Sequence, residues 1–327
     1  MVKYAQVAAL SRQTVCPGGV GLPGLGKDAV CMKQSIVLIL CLVLLCGTAL
    51  ADPVAFGGVS FDSTAEAIDL GDQIVTDWDG FVVFLHAFPD LKKVDMFATL
   101  IGRNEIDRLA ETFPDIHFGW TMQMTPYHTV RTDATAFSTL HGWCDPHTSS
   151  ELEILKYCTG MMALDLGHNN LTDLSFLLGM PHLRVLILAK NDYLGNNIEV
   201  LGELQELEYL ELFGSGIRDV SILTKLPNLM DLNLAFNEVQ DWRPLKEMKQ
   251  LKRLWVSNLY GWRMPKEEQE ELQEALPDTV IEFNGDPTDY GWREDPHYDI
   301  VYEIFHTGVY IPFAESAPLP EEEPQSR

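Results

Sequence analysis

Basic residues are scarce in this chain. Only 23 Lys and Arg stand against 48 Asp and Glu, a net charge of −25. A phosphate-binding groove needs a basic face, so nucleic acid is excluded as a partner. The same balance opposes adsorption to an anionic bilayer. Cysteine is sparse too: six in 327 residues cannot build a disulfide-dependent fold. The apolar stretch IVLILCLVLL at 36–45 falls short of the ~20 residues that a spanning helix needs. Catalytic motifs are missing as well. There is no G-x-S-x-G, no H-E-x-x-H, no Walker loop and no dinucleotide fingerprint set between a strand and a helix. Carboxylate clusters such as Glu267, Glu268, Glu270 and Glu271 read as solvated faces. No enzyme activity, cofactor or metal is expected.

What is present begins with a leader. Lys33 precedes the apolar stretch and Ala49-Leu50-Ala51 follows it. A basic region, a short apolar core and an A-x-A site, in that order, mark a secretory signal peptide. Met32 stands where such a peptide would start. Residues 32–51 are therefore assigned to the signal, and the Gly-rich residues 1–31 to a misassigned upstream leader. Cleavage near Ala51 would release a secreted chain with no membrane insertion. Lys3, Arg12, Lys27 and Lys33 leave with the leader and, of the acids, only Asp28 does, so the remainder is more acidic still. Cys144 and Cys158 are the two cysteines left.

From residue 161 a self-similar pattern appears, L-x-x-L-x-L-x-x-N-x-L-x-D-L-x-x-L. Its copies start at Met161, Leu183, Leu207, Leu229 and Leu251, with spacings of 22, 24, 22 and 22 residues. The two extra residues place a bulged loop in 191–198. The L-x-L core is a short strand, leucines inward and the intervening residues outward. One such unit cannot bury its leucines alone, whereas stacked neighbours can. Asn169, Asn191 and Asn237 can bond the backbone of adjacent coils through their amides. Asp173, Asp219 and Asp241 recur at one offset and are expected to N-cap short helical turns. The spacing is incompatible with a coiled coil. The expected fold is an α/β leucine-rich-repeat solenoid, curved, with parallel strands on its concave face, short helices and turns on its convex face, and a C-terminal cap.

Degenerate copies extend the array over 60–160, ahead of the regular repeats at 161–260, so the solenoid spans 52–284. Ile68 and Leu70, Val94 and Met96, and Phe118 and Trp120 mark strands about 25 residues apart. The extra length reads as helix over 104–112, with Ile106, Leu109 and the following Phe113 at helical spacing. Residues 130–140 read as extended, 151–157 and 269–276 as helices, and 280–283 as a closing strand. Residues 285–313 are aromatic-rich and hold no Leu. An end coil exposes its apolar edge, so this segment is expected to cap it. Residues 314–327 are Pro- and Glu-rich, the composition of a disordered acidic tail.

Residues 161–256 resemble internalin-type bacterial leucine-rich repeats of the 22-residue class. The segments VRTDATAFSTL (130–140), ELEILKYC (151–158), LDLGHNNLTDLSFL (164–177) and GWREDPHY (291–298) are similar to secreted leucine-rich-repeat proteins of Firmicutes. The resemblance implies a curved solenoid outside the cytoplasm, and implies no reaction. The LPxTG sorting motif of wall-anchored internalins is missing here.

His141, Cys144 and His147 form H-x-x-C-x-x-H, a spacing that could serve a metal only with further ligands, Asp145 being nearby. The rival readings are a Cys144–Cys158 disulfide and a buried free Cys158. Function is sought on the strands. Their outward residues form columns: Ala163, Val185, Tyr209, Asp231 and Arg253; Asp165, Ile187, Glu211, Asn233 and Trp255; Gly167, Ala189, Phe213, Ala235 and Ser257. His168, Lys190, Phe236 and Asn258 flank them. Ile187, Tyr209, Glu211, Phe213, Asp231, Phe236, Arg253 and Trp255 are therefore the candidate ligand-binding residues. The aromatics among them should cluster as an exposed hot spot, unless Phe236 tucks between coils or the cap covers Trp255. The expected function is a protein-interaction module, monomeric, with a partner carrying a basic rim. The alternative is a self-assembling envelope-associated repeat protein.

Overall fold

A computed structural model describes residues 53–124, 128–140, 146–195, 197–257 and 263–316. The leader, the signal segment, His141, Cys144, Asp145, Asn258 and the tail beyond Ser316 lie outside the described residues.

The repeats fold as a leucine-rich-repeat solenoid. Seven short strands form one sheet in which every pair is parallel: β7 (Ala136–Ser138), β8 (Ala163–Asp165), β9 (Val185–Ile187), β10 (Tyr209–Glu211), β11 (Asp231–Asn233), β12 (Arg253–Trp255) and β13 (Val280–Glu282). The register is the one that the repeat demands: Leu164, Leu186, Leu210, Leu232 and Leu254 stand side by side. All five are fully buried. The opposite side of each regular coil is a 3₁₀ turn, Ser175–Gly179, Glu199–Glu203, Ser221–Lys225 and Arg243–Glu247.

Asparagine joins the coils as expected. Asn237 donates through Nδ2 to the carbonyls of Leu212 (2.8 Å) and Leu234 (3.0 Å), and its Oδ1 accepts from Ser215 and Ile217 N–H. Asn191 makes the same bridge between Leu166 and Leu188, at 2.9 Å to each carbonyl. The aspartates act one position earlier than expected. Leu174, Val220 and Trp242 occupy the N-cap positions, and Asp173, Asp219 and Asp241 precede them. Each carboxylate accepts from the N–H two residues on, in an Asx turn. In the long coil the turn at 192–193 exposes Tyr193 while burying Leu194.

Upstream, the degenerate copies build a second sheet. β3 (Ala67–Asp69), β4 (Lys93–Ile101) and β5 (His117–Gln123) are parallel, and β6 (Thr129–Arg131) is antiparallel to β5. That reversal ends the sheet before β7, so the array is not one continuous ladder. The core is continuous nonetheless: one apolar cluster runs from Ile68 to Leu276. The hairpin β1 (Val54–Phe56)–β2 (Val59–Phe61), turned on Gly57 and Gly58 at φ +58° and +87°, packs Phe56 against Phe81 and Phe84. Those two phenylalanines belong to α1 (Trp78–Leu85). The expected helices form as α2 (Arg103–Thr112), α3 (Ser149–Leu152), continued as a 3₁₀ turn to Tyr157, and α4 (Lys266–Ala275). Among the described residues no helix is long and apolar enough to cross a membrane.

The C-terminal segment does not simply cover the end coil. After β13 it turns back over the outward face of the seven-stranded sheet as α5 (Pro296–Thr307) and the extended residues 309–316. The N–H of Tyr310 reaches Thr135 Oγ1, beside β7 at the far end of the sheet (3.1 Å). Glu315 and Ser316, assigned to a disordered tail from composition, belong to this ordered strap.

Candidate functional site

The columns read from the repeat are in register. Tyr209 lies between Val185 and Asp231, and Glu211 between Ile187 and Asn233. Their expected exposure is not met. Tyr209 and Asp231 are fully buried, Glu211 is 2% exposed, Arg253 6%, Ile187 8% and Trp255 8%. The strap covers them. Of the eight candidates only Phe213 and Phe236 keep intermediate exposure, and they pack edge to face with centroids 5.3 Å apart. Lys190 Nζ stands 4.7 Å over the Phe213 ring. His168, Lys190 and Phe236 share one left-handed backbone position, and Gly214 takes it in the intervening repeat.

Trp292 is the centre of the closure. Its indole is fully buried between Tyr209 (5.4 Å) and Trp255 (5.5 Å). Its N–H donates to Tyr209 Oη (2.8 Å) and Glu211 Oε1 (2.7 Å), and the Tyr209 hydroxyl donates to the same carboxylate (2.5 Å). Arg253 lays its guanidinium on the Trp292 ring, 4.1 Å from the centroid. Its Nε donates to Asp231 (2.8 Å) and its Nη1 to the Trp292 carbonyl (3.0 Å). Main-chain carbonyls of Asp286 and Pro287 accept from Trp255 Nε1 and Asn233 Nδ2, both at 3.1 Å.

His297, in the first turn of α5, makes the second anchor. Its Nδ1 lies 2.5 Å from Asp231 Oδ2 and its Nε2 3.2 Å from Glu315 Oε2. The bond to Asp231 raises its pKa above the usual imidazole value. The Phe313 ring packs against His297, tilted by 34° with centroids 4.7 Å apart. At a third anchor Ser316 donates to Glu208 Oε2 (2.7 Å), while Glu208 Oε1 accepts from the buried Arg184 (3.0 Å). Beneath the strap two carboxyls bear the cost of burial. Burial pushes Asp165 up to about 6 and also raises Glu211. Between the strap and the last strands a cavity of about 710 Å³ is lined by Arg253, Trp255, Val280, His297, Ile300 and Glu315.

The H-x-x-C-x-x-H motif is described only at His147. It is buried, its Nε2 has no hydrogen-bond partner among the described residues, and its ring stands 5.1 Å from His128. Among the described residues no group of three or more His, Cys, Asp or Glu could hold a metal. Cys158 is a buried free thiol 3.7 Å from the Arg131 carbonyl, pushed up to about 12 by burial. Sequence reasoning missed Trp292, His297 and Phe313 as partners of the strand columns. The signal available was composition: an aromatic-rich tail follows an aromatic-bearing strand face.

No family model matches the chain. A curated protein from an unknown prokaryotic organism, named a Roc-COR-CHAT protease, is 33% identical over 88 residues, 27% of this chain. That stretch is 8% of the relative's length, so the activity in its name belongs to that protein. Two Listeria monocytogenes structures are similar. Internalin C2 is 23% identical with a TM-score of 0.37, covering 46% of this chain and 62% of its own. Internalin F is 17% identical with a TM-score of 0.36, covering 70% and 64%. The Arabidopsis receptor kinase HAESA, solved with a peptide hormone and a co-receptor, is 17% identical with a TM-score of 0.29, covering 72% and 46%. The chain thus spans less than two thirds of each.

Proposed function

We propose that the chain is an exported protein-interaction module that recognises a polypeptide segment on the strand face of its repeats. One observation supports this most: the face is already occupied by a polypeptide, the chain's own residues 285–316, through tilted and edge-on aromatic contacts, charge-assisted hydrogen bonds and main-chain carbonyls. Buried aromatic and arginine anchors of this kind carry most of the binding energy at interfaces. Export rests on the leader at 32–51. The charge of −25 favours a partner with a basic rim. Crosslinking capture from surface extracts, with the chain and with a Tyr209→Ala/Trp255→Ala variant of native circular dichroism, tests the reading. Capture lost in the variant is expected; capture unchanged places the binding surface elsewhere.

Self-assembly is a second reading, favoured by one feature. β13 is the end strand of its sheet, and Val280 there is 63% exposed. Unpaired edge strands template further pairing. Light scattering that shows concentration-dependent oligomers would favour it.

A further inference from the structure

We propose that residues 285–316 are a displaceable lid on the strand face, clasped by His297 to Asp231, so that a partner segment gains the face only when the lid lifts. The lid rests on the reading that the strand face binds polypeptide, and adds to it how that face is kept closed.

Three observations carry this. The lid's apolar contacts form a cluster of their own, Trp292, Val301, Ile304, Tyr310 and Phe313 against Tyr209 and Trp255, on the side of the sheet opposite the leucine core. Lifting the lid therefore leaves the core of the repeats intact. The contact is also rich in buried charge: Asp165, Glu211, Asp231 and Arg253 lie beneath it, and among the described residues Arg253 Nη2 has no hydrogen-bond partner. Segments that dock through desolvated charge close with less surplus than apolar cores do. Finally, the lid is an independently shaped unit. Asp295 caps α5 by accepting from the His297 N–H, and Gly308 ends it at φ +71°, so the helix does not depend on the sheet for its ends.

The clasp makes the closure pH-dependent. His297 faces Asp231 on β11, Arg253 on β12, Asp295 at the α5 N-cap and Glu315 in the strap; Lys252, Asp278 and Glu294 line the adjoining cavity. The imidazole has a raised pKa when the lid is closed, so its contribution is complete below its free value of about 6.5 and is lost as pH rises through the raised one. The cavity lets water reach it, the side chain being 16% exposed. Asp165 works in the same direction at lower pH, since its neutral form is the one favoured under the lid.

Hydrogen exchange of the full chain, read by mass spectrometry, tests the lid. After correction for intrinsic rates, α5 should exchange at least about tenfold faster than β9 to β11, and the ratio should grow from pH 6 to pH 8.5. His297→Ala, and His297→Gln as its conservative companion, should add about another tenfold in α5 at pH 6 and none in the strands, as expected for loss of a charge-assisted bond. A labelled peptide of residues 289–316, added in trans, should bind the His297→Ala chain more tightly than the unaltered one. Joint exchange of α5 with the strands in all three proteins overturns the lid and leaves the binding reading standing. A ratio that ignores pH in the unaltered chain overturns the clasp. Separate exchange with no peptide binding overturns the binding reading, and the gating role with it.

Discussion

Asn237 shows how much one polar side chain can hold in a repeat. Its amide answers backbone groups of Leu212, Ser215, Ile217, Leu234 and Ala235, from two coils. Asn237→Ala should therefore cost about 3 kcal/mol, seen as a lower midpoint in urea with an unchanged slope. Ser215 occupies the same position one repeat earlier; its hydroxyl donates towards the Leu188 and Phe213 carbonyls and accepts from the Asn191 N–H. Cys158 makes a different prediction. Its thiol is buried and held far from the thiolate, so a maleimide at pH 7.5 should leave it unlabelled in the native chain and label it after unfolding. Labelling in the native state would show that this site opens. The asparagines and leucines were legible in the sequence because each is set by contacts within its own or the next coil. The fate of Tyr209 was not, because a segment 83 residues away buries it.

At the scale of elements, the strands and turns of 161–256 follow the repeat directly. The break between β6 and β7 does not, since it depends on a reversal that no period records. The strap is the larger case. A Leu-poor, aromatic segment signals that something apolar must be covered, but not which surface. It lies on the strand face, where Tyr209, Trp255 and Ile187 join its own aromatic residues in one apolar cluster. Trp292→Ala should cost about 3–5 kcal/mol of closure, leaving Glu211 and Tyr209 without their indole donor. Fluorescence of the remaining tryptophans should report the opening through a red shift from Trp255. Asp165 gives the pH dependence a second handle. Its carboxyl is raised from 3.8 to about 6, so its contribution to stability is present below pH 4 and lost by about pH 6, a change of roughly 3 kcal/mol. Asp165→Asn should raise the denaturation midpoint at pH 7.5 and give no gain at pH 4; an equal effect at both would rule out the burial of charge as the cause.

At the scale of the molecule, two apolar clusters lie on opposite sides of one sheet. The first is built by neighbours in sequence, as stacked repeats must be. The second is built by contacts across the array, such as Tyr310 with Thr135, 175 residues apart. The strand face is thus the docking site of the chain's own end. The most direct test is the surroundings of the Trp292 indole N–H, read by nuclear Overhauser effects in a selectively labelled sample. Cross-peaks to the rings of Tyr209 and Trp255, with slow exchange of the indole proton, are expected. An indole proton that exchanges freely and shows neither contact would mean that the strap does not close the strand face.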